Sequence, residues 1–358
     1  MSDTVDKAAP GPLRLLALDG GGVRGLSELL VLQEVMRRIK HAKNLDKEPL
    51  PCEYFDLIGG TSTGGLIALL LGRLKLSAES AKNAYLELAG TVFSERKWKF
   101  QDGTFKASKL EEAIQQKVEQ ALGQGSKNAR MIDPKDKDPR CKVFVCAVGA
   151  PDTAAAVGPT LFRTYEVVRN RSDDCMIWEA GRATSAAPTF FKRIYIGNEG
   201  AKVAYLDAGL GYNNPISQVL NEALDVFGTE RQLGCIVSLG TGESDAQDYK
   251  QPDWFEKIVP VQLVKSLETI ATNTARVAQD YERKFQGCPH VYFRLNVRRS
   301  IGRMALDEWR KLPNISYLTG NYLKEAAVSC DVDRLVQLLI GKSKESTVSL
   351  EAVGMHKT

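Results

Sequence analysis

The sequence predicts an α/β protein with three layers, α/β/α, around a mostly parallel central sheet. Three observations predict it. Short apolar runs such as Leu13 to Leu18 (LRLLAL) and Cys235 to Leu239 (CIVSL) stop abruptly at glycine turns, as strands buried on both faces of a parallel sheet do. Between such runs lie segments whose apolar residues recur at helical spacing, so strands and helices alternate. No internal repeat or long linker interrupts the alternation, and 358 residues are enough for one large domain with a full core.

Taken in order, residues 1–12 (MSDTVDKAAPGP) read as a disordered lead with no apolar signal core. Leu13 to Leu18 is the first strand. Leu29, Leu32, Met36 and Ile39 mark a helix from about Leu26 to Ala42. Tyr54 to Ile58 is a second strand, followed by GGTSTGG and the apolar helix LIALLLGRL. Lys142 to Val148 and Leu161 to Val167 read as strands joined by the loop GAPDTAAAVGP. A short helix spans Met176 to Ala183, ended by Pro188. A strand spans Lys202 to Leu206, and Pro215 opens a helix to Phe227. Cys235 to Leu239 enters the turn GTG. Ile258 to Phe285 is mostly helical, Val291 to Val297 is a late strand, and Tyr322 to Ile340 supplies C-terminal helices. These place one domain over 13–300, with 301–358 packed on it or extending it. The polar stretch 96–140 is an insertion or lid candidate.

Composition narrows the function. Lysine and arginine total 48 against 44 acidic residues, and a net charge of +4 is too small to argue for nucleic acid. Seven scattered cysteines with no C-x-x-C pair point to reduced, mostly buried thiols in an intracellular protein and against zinc. The longest strongly apolar stretch, Leu66 to Leu71, is far short of the roughly 20 residues of a membrane span. The expected location is therefore cytoplasmic or peripheral to a membrane. Only three histidines are present, which leaves little room for a multi-histidine metal site and constrains any Ser/His/Asp triad.

Three motifs stand at strand ends. Asp19-Gly20-Gly21-Gly22-Val23-Arg24-Gly25 lies between a strand and a helix. Its glycines let backbone amides approach negative charge, so the loop is a phosphate cradle, an oxyanion hole or simply a tight turn. No G-K-[ST] follows, which argues against a P-loop. Gly60-Thr61-Ser62-Thr63-Gly64 is a G-x-S-x-G between a strand and an apolar helix, the setting of a nucleophile elbow; the plainer alternative is a turn with a helix cap. Asp207-Ala208-Gly209 ends the strand VAYL, where a carboxylate reaches the edge at which α/β sheets keep their sites. Alone, it reads equally as an Asp turn. Together the three supply what a serine ester hydrolase needs: nucleophile, base and oxyanion donors.

DGGGVRG, GTSTG and DAG, in this order, resemble the motifs of the patatin-like phospholipases, a family of lipid acyl hydrolases. ATSAAPTFF (Ala183 to Phe191) and SLGTG (Ser238 to Gly242) resemble further segments of that family. The likeness covers roughly residues 12–300. It implies a patatin-like fold with Ser62 as nucleophile and Asp207 as its partner in a Ser–Asp dyad. Gly20, Gly21 and Gly22 would form the oxyanion hole with support from Arg24, and Gly60 and Gly64 would flank the elbow. The implied activity is phospholipase A-type cleavage of fatty-acyl esters in membrane glycerolipids through an acyl-enzyme. The implied partner is a phospholipid or other acyl lipid; no cofactor, metal or Ca²⁺ is expected.

A dyad suits a chain poor in histidine. His41 lies in a basic helix end and His356 near the C-terminus, so His290 is the competitor for a triad. It precedes the strand VYFRLNV, which places it toward the opposite edge. For peripheral membrane contact the candidates are Lys97, Trp98, Lys99 and Phe100, an aromatic and basic cluster suited to an anionic headgroup layer; the alternative is ordinary packing beneath solvated lysines. Trp178, Phe190 and Phe191 read as core. Two other functions are carried forward: a lipase effector domain at the head of a larger signalling or immune receptor, and a nucleotide-binding α/β module.

Overall fold

The structure is a computed structural model, and it describes residues 11–93, 105–149, 158–168, 174–188, 190–243, 261–298, 301–342 and 347–354. Its first strand, β1 (Leu13–Leu18), sends Leu16 and Leu18 into one apolar cluster and Leu15 and Ala17 into another. A period of two across a strand does this. It requires helices on both faces, and the chain supplies them. One face carries α1 (Leu26–Ala42), α2 (Thr63–Ala68), α3 (Ala78–Phe93), α4 (Ala107–Leu122) and α5 (Ile177–Thr184). The other carries α7 (Ile216–Phe227), with α6 (Gly209–Tyr212) leading into it, and the end of α8 (Val261–Lys284).

The sheet is built on β1 with β2 (Leu57–Thr61), β3 (Lys142–Gly149), β7 (Gln232–Leu239) and β8 (Tyr292–Leu295). These run parallel in the order β3-β2-β1-β7-β8. Beside β3, β4 (Thr160–Arg163) and β6 (Val203–Asp207) are antiparallel to it, and β5 (Ile194–Ile196) is antiparallel to β6. The expected three-layer α/β/α fold with a mostly parallel sheet is the observed one. Among the described residues no helix is long and apolar enough to cross a membrane.

Several elements differ from the sequence reading. The second strand runs to Thr61 and includes Gly59 and Gly60. Glycine normally weakens a strand, but here a Cβ on Gly59 would collide with Phe144 and Val219. Part of the 96–140 stretch is the helix α4, not a loop, and buries Leu110, Ala113, Ile114 and Val118. That apolar stripe is narrow and set among charged residues, which hid it. The C-terminal helices α9 (Leu312–Lys324) and α10 (Ala326–Leu339) begin earlier than expected, and Ile315, Val332 and Leu335 join the same core as α1. Lys97, Trp98, Lys99 and Phe100 lie outside the described residues. Nearby, Phe93, Phe105, Phe190 and Phe191 form one aromatic cluster with centroids 5.1–6.4 Å apart, and Phe105 and Phe191 are buried. Phe191 is buried in the core, and Phe190 is partly buried against it.

Candidate active site

Ser62 stands between β2 and α2 with φ 55° and ψ −122°. A non-glycine residue with positive φ is held there by its surroundings. Close packing on both sides does the holding. A Cβ on Gly60 would run into the Gly64 backbone, and one on Gly64 would run into the carbonyls of Leu18 and Asp19. The Ser62 amide donates to Thr184 Oγ1 (2.8 Å), and Thr61 Oγ1 donates to the Tyr212 carbonyl (2.7 Å).

Asp207 reaches Ser62 through sheet register. Thr61 pairs with Cys146 on β3, and the next β3 residue, Ala147, pairs with Asp207 from the other side. Ser62 and Asp207 therefore flank the same level of β3. Because β6 is antiparallel, its C-terminal end does not belong to this edge by topology. It arrives because β6 overlaps only the last residues of β3 and stops there, a correction to the argument from strand ends. The Gly209 amide donates to Asp207 Oδ1 at 2.7 Å, and the Ser62 side chain lies close enough to the Asp207 carboxyl to favour its charged form. Burial pushes the Asp207 carboxyl up to about 7, with the Ser62 side chain and the Gly209 amide opposing. Among the described residues Asp207 has no ion-pair partner.

The glycine loop is clamped by its carbonyls. The Gly20 carbonyl accepts from Asn213 Nδ2 (3.1 Å) and Thr241 Oγ1 (2.8 Å). The Gly21 carbonyl accepts from the backbone amide and Nε of Arg24, each at 3.2 Å. The Gly22 carbonyl accepts from Thr63 Oγ1 (3.1 Å) and the Tyr85 hydroxyl (2.5 Å). A trans peptide points its C=O and N–H in opposite directions. Fixing the Gly20 and Gly21 carbonyls therefore turns the amides of Gly21 and Gly22 the other way, and among the described residues neither has a partner. The loop borders the serine: a Cβ on Gly20 would lie 3.1 Å from Ser62 Cβ. Gly20 itself is not an open donor, because its amide donates to the Asn213 carbonyl at 3.0 Å. Of the three glycines expected to form an oxyanion hole, Gly21 and Gly22 are therefore the ones whose amides have no partner among the described residues. Arg24 acts from behind, with its guanidinium on the carbonyls of Gly21 and Gly302.

A family model described as patatin-like phospholipase matches residues 16–220, more than half of the chain. The chain belongs to the patatin-like phospholipase family. It is 30% identical over 262 residues to calcium-independent phospholipase A2-gamma of Rattus norvegicus, covering 68% of this chain and 30% of that protein. It is 29% identical over 260 residues to patatin-like protein 2 of Arabidopsis thaliana, covering 65% and 61%. The chain spans 30–35% of the length of the phospholipase A2-gamma relatives it matches. VipD from Legionella pneumophila aligns over 96% of this chain and 69% of its own, with a TM-score of 0.43 and 11% identity. Family membership rests on the family model.

For a patatin-like chain, the three motifs are the legible part of the site and their supports are not. Thr184, Asn213 and Thr241 were not singled out, although Thr184 and Thr241 sit inside ATSAAPTFF and SLGTG. Gly302 and Leu306 also hold the loop, the latter by accepting from the Val23 amide at 2.9 Å. The site therefore draws on residues beyond 300. Asp19 is buried and paired with Arg294, Nη2 to Oδ2 at 2.6 Å, while its amide donates to Glu28 Oε1 at 2.7 Å. Two signals could have found this group: a lone arginine in the strand VYFRLNV, and a glutamate on the apolar face of α1 beside Leu29 and Leu32.

The histidines stand apart. His290 is exposed, with φ 67°, just before β8. Leu295, at the far end of β8, pairs with Leu239 at the level of the glycine loop. Five residues of strand separate His290 from that level, roughly 16 Å. His41 is exposed at the end of α1, and His356 lies outside the described residues.

Proposed function

We propose that this protein is a lipid acyl hydrolase of the phospholipase A type, using Ser62 as nucleophile and Asp207 as its base. The observation that carries the reading is a single juxtaposition. A serine on a strained turn lies beside a buried aspartate and two backbone amides, and among the described residues the aspartate has no ion-pair partner and the amides have no partner. An ordinary aspartate is a weak base at neutral pH. Burial brings Asp207 to about 7, near the pH at which a general base works best.

The reaction follows from those atoms. Ser62 Oγ attacks the carbonyl carbon of a fatty-acyl ester while its proton passes to Asp207. The carbonyl oxygen becomes an oxyanion and takes hydrogen bonds from the Gly21 and Gly22 amides, which are preorganised because their peptides are clamped. The intermediate collapses, the alcohol half leaves with the proton from Asp207, and the acyl group stays on Ser62. Water, deprotonated by Asp207, then releases the fatty acid and restores the serine. Arg24 positions the loop without touching substrate. The names of the phospholipase A2-gamma relatives extend to this chain the proposal that hydrolysis proceeds without Ca²⁺.

Acyl-chain release from defined phospholipid vesicles, with product positions resolved and chelator in excess, tests the reading. Wild type should release fatty acid and be labelled by a fluorophosphonate, and Ser62→Ala should do neither. Release by Ser62→Ala at the wild-type rate would overturn it.

A further inference from the structure

Beneath the glycine loop lies a buried ionic group that the proposed chemistry does not use. Asp19 immediately precedes Gly20 and is 1% exposed. Its amide is shared between the Leu239 carbonyl (3.1 Å) and Glu28 Oε1 (2.7 Å), which fixes the chain where it enters the loop. Glu28 is itself 1% exposed. Two carboxyl groups thus meet at one backbone amide in the interior.

One arginine serves them, and it serves them unequally. Arg294 directs Nη2 to Asp19 Oδ2 at 2.6 Å and Nη1 to Ser238 Oγ at 2.8 Å. Among the described residues it makes no hydrogen bond to Glu28, whose Oε2 is buried without a partner. The other groups that face the cluster give no second cation. From α3, the Tyr85 phenol is spent on the Gly22 carbonyl. From β8, Tyr292 adds a neutral hydroxyl. Past the end of β7, Glu243 adds negative charge near Asp19. Arg24 is engaged with the carbonyls of Gly21 and Gly302.

A buried carboxylate with one donor, no directly bonded cation among the described residues and a second carboxylate beside it is disfavoured in the charged form, even with Arg294 nearby opposing that effect. Burial and the neighbouring Asp19 both push the Glu28 carboxyl well above the usual carboxylate range. Asp19 is pushed up less, because Arg294 opposes the burial. The two therefore divide their roles, as paired carboxyls in unlike settings do.

We propose that Glu28 is a positioning residue that works as a neutral carboxylic acid, holding the Asp19 amide while keeping a second negative charge away from the underside of the oxyanion loop. The proposal rests on the assignment of Gly21 and Gly22 as oxyanion donors. Its physical content is that those amides stabilise developing negative charge in a low-dielectric setting, where a nearby fixed anion opposes them. Ionised Glu28 would be such an anion. Neutral Glu28 accepts the same hydrogen bond without the field.

The test compares Glu28→Gln with Glu28→Ala in the full chain. Glutamine keeps the acceptor and can never ionise. Glu28→Gln should keep kcat on a soluble short-chain ester within about twofold of wild type. Glu28→Ala should lose roughly tenfold or more in kcat with KM little changed, as for a weakened oxyanion hole. Wild type should lose kcat at alkaline pH where Glu28→Gln does not. An infrared difference spectrum, wild type minus Glu28→Gln at pH 7, should carry the carbonyl stretch of a protonated carboxylic acid. Absence of that band, or a loss in Glu28→Gln as large as in Glu28→Ala, would overturn the proposal. The spectrum requires no turnover, so it decides the state of Glu28 even if the ester is not hydrolysed, an outcome that would instead count against the hydrolase reading.

Discussion

Asp19 and Asp207 close strands at the same level of the sheet, and both are buried, at 1% and 6% exposure. Both accept or sit beside a tightly packed glycine turn, yet their surroundings have little else in common. Asp19 meets a guanidinium at 2.6 Å. Asp207 meets a serine hydroxyl and a glycine amide, with no ion-pair partner among the described residues. A buried aspartate with an arginine is held toward its charged form, because the guanidinium opposes part of the burial penalty. A buried aspartate without one is a proton acceptor, because burial alone raises its affinity for the proton. On the proposed function, the contrast gives a structural part to Asp19 and the chemistry to Asp207.

Breaking the chemical side should have the largest effect. Asp207→Asn is expected to lower kcat by about 10³–10⁴-fold, as loss of a nucleophile's partner does. It should also stabilise the protein. The folded-state value near 7 lies above the unfolded value of about 4. The native wild type thus binds the extra proton and loses stability as pH rises between those values, with the loss complete above 7. The advantage of asparagine should grow across that window to a few kcal/mol and then stay flat. Denaturant titrations at pH 5 and pH 8 check it, and equal stability of the two proteins at pH 8 would remove the burial argument.

Breaking the structural side should cost stability instead. Arg294→Met leaves Asp19 buried and uncompensated, with an expected loss of about 3–5 kcal/mol in the denaturant midpoint analysis. Adding Asp19→Asn should recover most of it. A loss below about 1 kcal/mol in the single variant would mean that the pair does not set the character of Asp19.

A milder probe leaves both residues in place. Because Asp207 must be ionised to accept the serine proton, kcat/KM should rise with pH and level off above about 7. Between pH 5 and pH 7 the rise should be roughly tenfold per pH unit. A profile flat across that range would place the base elsewhere. The smallest effect is expected from His290→Ala. An exposed residue just before β8, at the end of the strand away from the glycine loop, should change kcat/KM less than about twofold on either side of the comparison. Damage equal to that of Ser62→Ala would restore the triad.

The legibility of the site divides along the same line. Ser62, Asp207 and the three glycines sit in short local patterns at strand ends, where a turn, a small residue and a functional group must be neighbours in sequence. Arg294 lies 275 residues from Asp19, and Thr184 lies 122 from Ser62. No local pattern ties such partners together. The same limit hid which glycine amides are open. Gly20, Gly21 and Gly22 are alike in sequence and differ only in where Asn213, Thr241 and Arg24 place their donors and acceptors.

By itself the sequence determined the three-layer fold with its mostly parallel sheet, the strand–turn–helix setting of Ser62 and the family. These follow from periodicity, from the glycines that end each apolar run, and from the motifs. Only the tertiary structure decided that Asp207 reaches Ser62 from an antiparallel strand, and that Gly21 and Gly22 carry the open amides. It alone decided that one aspartate is paired with an arginine and the other has no ion-pair partner among the described residues. The reason is that the proton affinity of a carboxyl group depends on distance, burial and partner charge, which folding sets across hundreds of residues.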